Sequence, residues 1–403
     1  LDVNARRLNM KPLIFVAAAS SMAMMAFVAL IGPIARSVGL AAWQAGATVT
    51  VAGLLWMLLA RPWGTASDRH GRRVVLLICT SGFFISYLLL CAAVYAGLSM
   101  LASTTLTFIA LMIARGAIGA FYAGVSTTSL ALVADHLPPE KRASAMASIG
   151  AASAAGLIAG PALAGALAPV NLSLPLYAAA ILPLLAVLIL GVSLPRAESH
   201  AALARSEMQL QDARIRRPMA VAFVAMFSVA VAQITVGFYA LDRLKLGSNE
   251  AASAAGFALT AVGVAVLLSQ LAVRKLAWSP TRLIRVGCLI ASVGFASVIL
   301  ATSAPLLWTS YFVAAAGMGL VFPSFSALAA NSVEPTQQGA AAGSVGAAQG
   351  LGMVIGPLAG TVVYGIAPFA PYIVVAVVLL ACALWPEERI ARDVIFRTDD
   401  RSS

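Results

Sequence analysis

Arg115 sits well inside an apolar run, and the residues able to act with it recur at helical spacing. Gly119, Tyr122, Ser126 and Ser129 follow it at steps of four, three, four and three, so on a helix all five share one face. A cation inside a membrane span costs about 2.5 to 3.5 kcal/mol on insertion scales, and an arginine retained there is expected to face the protein interior. With Arg115 the only charge so placed, this face suits an anionic or zwitterionic group better than a lipophilic cation. The competing reading is a packing arginine whose donors are satisfied by helix carbonyls.

A second polar group, Gly64, Asp68, Arg69, Gly71, Arg72 and Arg73, is crowded between apolar runs that end near Ala60 and resume at Val74. The segment is too short for a domain and too charged for hydrocarbon. It is predicted to be a tight turn between two membrane helices, on the side where Arg and Lys collect. Gly64 and Gly71 permit backbone angles that other residues resist, and Asp68 has three arginines within five residues, enough for an ion-pair cluster that forms and breaks as helices move. The competing reading is a basic loop that only sets topology.

A third pattern is steric. Ser153, Gly156, Gly160 and Ala164 place small residues along one helix face, which lets another helix approach closely. Pro161 removes an amide and crowds the carbonyl of Leu157, so a bend is expected there. An equivalent face further on carries Gln349, Gly352, Gly356 and Gly360, and Gln349 takes the place of Ser153.

The elements that must carry these groups are membrane helices. Of 403 residues 61% are hydrophobic, against roughly 45 to 50% in soluble globular chains, and the mean hydropathy is +0.94. Only helices or closed barrels satisfy backbone polar groups in a bilayer, and the long non-alternating apolar runs exclude a barrel. The net charge of +11 is scattered through short loops, which argues against a nucleic-acid partner. Cys79, Cys91, Cys288 and Cys382 all fall in apolar runs without a CxxC pair and are expected to be free thiols, while His70, His136 and His200 lie in predicted loops. No metal site is therefore expected. Nothing in the chain reads as an enzyme's cluster of nucleophile, base or metal near one membrane face, or as a receptor's soluble output domain.

Taking a span as roughly 20 residues, twelve are predicted: 13–36, 43–60, 74–97, 104–134, 143–168, 175–194, 218–240, 250–272, 284–302, 306–331, 339–366 and 370–386. Residues 1–194 form a first six-helix bundle, 195–217 a polar linker, 218–386 a second bundle and 387–403 a tail. Of the 26 Lys and Arg, 22 fall in segments on the side of the termini, so both termini are expected to be cytoplasmic. The halves repeat: Gly150 and Gly346, Gly156 and Gly352, and Gly160-Pro161 and Gly356-Pro357 are each 196 residues apart. No cleavable signal peptide is expected. Residue 1 is Leu, and Met10 is a plausible alternative start, which leaves open whether residues 1–9 are native.

Three motifs carry a family resemblance. G-x-x-x-D-R-x-G-R-R-x-x-L, from Gly64 to Leu76, resembles the loop 2-3 signature of the major facilitator superfamily, with Ala66 in place of the usual leucine. L-x-x-x-R-x-x-I-G, from Leu111 to Gly119, resembles its span 4 motif, with Ile118 for a glutamine. Gly150, Gly156, Gly160-Pro161 and Gly165 resemble the antiporter signature of the twelve-helix drug:proton branch, with Ala164 for a glycine.

The resemblance implies an all-α membrane fold of two six-helix repeats related by a pseudo-two-fold axis, with substrate bound between them. It implies a cytoplasmic latch at Asp68 with Arg69, Arg72 and Arg73 as partners, and a role for Arg115 in proton transfer. It also implies a multi-pass protein of the bacterial inner membrane that exports a small amphipathic organic compound, a drug or a secreted metabolite, in exchange for protons. The expected partners are that substrate and the lipid bilayer; the chain is expected to act as a monomer with no cofactor beyond the proton gradient. No acidic residue is placed at mid-membrane. Coupling would then rest on Asp68 or Asp135 with Arg115, or on a titrating group of the substrate. An anionic siderophore-like cargo, and an importer or facilitator without proton coupling, are the alternatives. The cavity is expected to be lined by Phe27, Gln44, Arg115, Tyr122 and Gln233, with Phe238, Tyr239, Phe322 and Gln349.

Overall fold

The computed structural model describes residues 9–193, 213–276, 278–334 and 337–385. Among these the chain is all-helical. The helices are α1 (Met10–Ser37), α2 (Ala42–His70), α3 (Arg72–Leu98), α4 (Thr104–His136), α5 (Pro139–Leu167), α6 (Leu174–Ser193), α7 (Ala213–Asp242), α8 (Ser248–Leu276), α9 (Pro280–Ser297), α10 (Ala304–Asn331), α11 (Gln338–Tyr364) and α12 (Ala370–Leu384). A 3-10 turn, Val298–Leu300, ends the ninth predicted span. Eleven helices are long and apolar enough to cross a membrane, and α12 is a shorter apolar helix of 15 residues. Side chains such as Ile85, Ile181, Leu188, Leu271 and Val377 are more than half exposed on the outer faces, a pattern that needs hydrocarbon to cover it.

The predicted spans meet these helices, but the helices outrun them. α2 continues ten residues past the predicted end at 60, so the polar stretch is not a turn. Gly64 lies inside the helix, and the reversal is made by Gly71 alone, at φ 90° and ψ 137°. Hydropathy marks where hydrocarbon ends, whereas helical hydrogen bonding continues while side chains can reach water. By the same logic His70 and His136 are not in loops but end α2 and α4, each ring Nδ1 lying 3.1 Å from the carbonyl four residues back. The last five linker residues, 213–217, are the first turn of α7. The rest of the predicted linker, the tail 387–403 and His200 lie outside the described residues.

Packing follows one scheme twice. In the first six helices α5 and α6 lie on α1, α4 packs on both α2 and α3, and α6 touches α3. The same pairings recur six helices on: α11 and α12 lie on α7, α10 packs on both α8 and α9, and α12 touches α9. The glycines explain the closest of these approaches. A Cβ at Gly156 would strike the Ala18 carbonyl of α1, and one at Gly352 would stand 2.5 Å from the Phe223 carbonyl of α7. Between the two sets, α2 meets α11, α5 meets α8, and α1 meets α7 and α8.

Candidate functional site

Two adjoining cavities of about 420 and 220 Å³ lie between the two sets of helices. Met25 of α1, Leu157 of α5, Gln233 of α7 and Met353 of α11 line both, so the two meet at these side chains as neighbouring lobes, together called the chamber. The larger lobe is apolar, walled by Met226, Met318, Phe322 and Phe325, with Gln349 on its rim. The smaller lobe holds the polar groups: Arg115 and Tyr122 of α4, Trp56 of α2 and Ser21 of α1.

Close helix packing places them. Gly119, one turn past Arg115, sits where a Cβ would collide with the backbone of Ala52. α2 therefore lies hard against α4, and Trp56, one turn after Ala52, enters the small lobe beside Tyr122 with ring centroids 6.5 Å apart. The Tyr122 hydroxyl shares a hydrogen bond with Ser21 Oγ at 3.2 Å. Arg115 is 1% exposed, and its guanidinium stands 5.0 Å from the centre of the Phe27 ring. Neither Nε nor Nη1 of Arg115 has a hydrogen-bond partner among the described residues, and the Trp56 Nε1 has none either. Helix carbonyls therefore do not satisfy those two nitrogens.

The predicted α4 face is only half used. Ser126 and Ser129 donate back to the carbonyls of Ala123 and Val125 in their own helix. Of the other predicted cavity residues, Gln233, Phe322 and Gln349 line the chamber. Four do not. Gln44 caps α2, its Oε1 accepting from the Ala41 amide at 2.8 Å. Phe27 is fully buried beneath Arg115. Phe238 is equally buried, between Tyr364 and Arg36. Tyr239 donates to the Val298 carbonyl at 2.6 Å and packs on Tyr372. Their helices are rotated so that these rings join the core. Trp56 and the chamber methionines were missed; an indole N–H in mid-span, which needs an acceptor when buried, was the available signal for Trp56.

At the end where α2 stops and α3 begins, Arg72 stands between two carboxylates, 2.5 Å from Asp68 and 2.8 Å from Asp135, and also donates to Ser67 Oγ. Arg73 donates to the Gly191 carbonyl at 2.9 Å, and Arg69 is exposed. These contacts join α2, α3, α4 and α6, all within the first six helices. In the glycine motif, Gly156 and Gly160 face α1, while Gly165 and the Pro161 carbonyl face α8; a Cβ at Gly150 meets nothing within 4 Å. α5 runs through Pro161 unbroken.

At the far end, side chains join the two sets of helices. Arg36 pairs with Asp242 at 2.6 Å, and the Tyr364 hydroxyl donates to the same carboxylate at 2.9 Å. Ser37 donates to Ser248 at 3.1 Å, and Ser253 to the Gly165 carbonyl at 2.8 Å. The motifs did not single out this ion pair, which joins α1 to α7.

The family model for the Major Facilitator Superfamily matches residues 13–357. The chain is 26% identical to the tetracycline resistance protein, class G, of Vibrio anguillarum over 361 residues, 84% of this chain and 86% of that protein. It is 27% identical to the class C protein of Escherichia coli over 335 residues, 79% of each. The fold matches a bacterial homologue of the human lysosomal transporter Spinster, solved inward-facing and occupied, with a TM-score of 0.71, 17% identity and 93% of each chain covered.

Proposed function

Because the chain belongs to the Major Facilitator Superfamily, and is a transporter rather than an enzyme, we propose that it exports a small amphipathic organic compound by alternating access, in exchange for protons. The observation that carries this reading is the two-lobed chamber between the two sets of helices, lined by residues of both; the Arg36–Asp242 pair joins the same two sets elsewhere. The names of its relatives concern tetracycline resistance, which supports efflux of a drug-like or secreted compound; one scaffold serves many cargoes.

In this reading the protein is a monomer of two six-helix repeats in the bacterial inner membrane, with both termini cytoplasmic and no cofactor beyond the proton gradient. The recurring helix pairings and the 196-residue offsets support the repeat, and the basic residues gathered on the side of the termini support the orientation. The Asp68–Arg72–Asp135 cluster then lies at the cytoplasmic face, where it serves as the latch and, with Arg115, as the route for coupling. One proton supplies about 1.4 kcal/mol per pH unit and about 2.3 kcal/mol per 100 mV. A second reading, a facilitator without proton coupling, is favoured by the lining itself, since among the described residues no carboxylate borders either lobe.

Proteoliposomes loaded with a pH-sensitive dye test both. Under an imposed proton gradient, a panel of cationic, neutral and carboxylate-bearing compounds is added. Substrate-evoked proton flux that Asp68→Asn and Arg115→Ala each lose is the expected result. Substrate movement without proton flux selects the facilitator, and no protein-dependent movement of any compound refutes transport of this class.

A further inference from the structure

Resting on the transporter reading, we infer that the small lobe is an anion site. A single carboxylate of the cargo docks on Arg115 and Trp56, and the cargo's apolar body extends into the larger lobe.

The argument begins with a count of unmet donors. Arg115 Nε and Nη1 and Trp56 Nε1 are buried, have no partner among the described residues, and belong to two side chains that line one lobe of about 220 Å³. Guanidinium and indole N–H groups only donate, and the guanidinium keeps its charge at any physiological pH. Among the described residues, no acidic side chain borders either lobe to neutralise it. The Phe27 ring beneath the cation offers a partial substitute for solvent, but no acceptor for an N–H. An uncompensated buried cation is among the costlier arrangements a protein can hold, and what would relieve it is an acceptor bearing one negative charge.

Size and lining narrow the class. A lone inorganic anion would leave the adjoining lobe of about 420 Å³, with its Met226, Met318, Phe322 and Phe325 walls, without a role. A phosphate dianion would carry one charge more than Arg115 neutralises. An organic monocarboxylate with an aromatic or aliphatic body satisfies both lobes: its head accepts from α4 and α2, and its tail lies among methionines and rings that adapt to varied shapes. Binding then draws α2 and α4, in the first six helices, and α7 and α11, in the second, onto one molecule.

The test uses the full chain in lipid nanodiscs and three probes sharing one body: 1-pyrenebutyrate, its methyl ester and 1-pyrenebutylamine. Binding is measured by equilibrium dialysis with empty nanodiscs subtracted. The wild-type chain is expected to bind the carboxylate at least tenfold more tightly than the ester or the amine. Arg115→Gln should bring the carboxylate down to the ester's affinity while ester binding stays within twofold. Arg115→Lys should keep the preference, and Trp56→Phe should weaken carboxylate binding about threefold. Equal wild-type binding of the three probes, failure to bind the carboxylate, or a preference that survives Arg115→Gln overturns the anion site. Should Arg115→Gln not fold, the wild-type comparison decides alone. Flux of the same probes in proteoliposomes separates the two readings. Selective carboxylate binding without movement of any probe overturns export and leaves the site standing, whereas preferential movement of the amine or the ester does the reverse.

Discussion

Gly150 and Gly156 belong to one glycine pattern on α5, yet their surroundings differ. A Cβ at Gly150 meets nothing within 4 Å, whereas one at Gly156 meets the Ala18 carbonyl, the Met22 amide and Ser21 of α1. Backbone cannot yield as a flexible side chain does. Gly156→Ala is therefore expected to destabilise by about 1 to 3 kcal/mol through overpacking, and Gly150→Ala to gain up to about 1 kcal/mol from helix propensity. Thermal unfolding in detergent checks the pair: the first substitution lowers the midpoint and the second holds or raises it. Equal effects would mean that the glycine pattern acts as a unit and not through contact with α1. The motif was legible in the sequence as a small-residue face, but which of its glycines touches a neighbour was not, because that depends on how α5 is rotated against α1.

At the scale of elements, α2 and α3 are two helices separated by one residue. Gly71 has φ +90° and ψ 137°, a backbone conformation that side chains with a Cβ resist, while Gly64 is an ordinary helical residue with open space around it. Gly71→Ala should lower stability by about 1 to 3 kcal/mol, and Gly64→Ala should leave it unchanged or raise it by up to about 1 kcal/mol. The same thermal measurement applies. A neutral Gly71→Ala would show that the reversal tolerates another geometry. The sequence marked both glycines equally, since each lies in the polar segment between two apolar runs; continuation of α2 to His70 gives them different roles.

Over the whole molecule, the end where α1 and α7 stop is held by Arg36, Asp242 and Tyr364, with Ser37 and Ser248 beside them. Alternating access requires these contacts to part. With Ser37→Cys and Ser248→Cys, whose native hydroxyl oxygens are 3.1 Å apart, mild oxidation should form a disulfide, arrest transport and release it again on reduction. The native Cys79, Cys91, Cys288 and Cys382 are buried free thiols, so the introduced pair reacts first. Adding Asp242→Asn removes the ion pair between the halves and should slow crosslinking about threefold, since the closed state is then less populated. Crosslinked protein that still transports at full rate would remove this end from the gating cycle.

The membrane class, the approximate positions of the spans, the buried Arg115 and the 196-residue spacing of the glycine patterns could be read from the chain by itself. Each rests on a local quantity: transfer free energy summed over one stretch, or residue identity at a fixed interval. Which faces line the chamber was decided only by tertiary structure. In these helices nearly every side chain is apolar on every side, so periodicity says little about which face turns inward. Phe27, Phe238 and Tyr239 thus entered the core while Gln233, Phe322 and Gln349 reached the cavity. The two most informative features, Trp56 and Arg115 lining one lobe and Arg36 paired with Asp242, join helices far apart in the chain. No local pattern encodes such a meeting, because it is set by how whole helices cross.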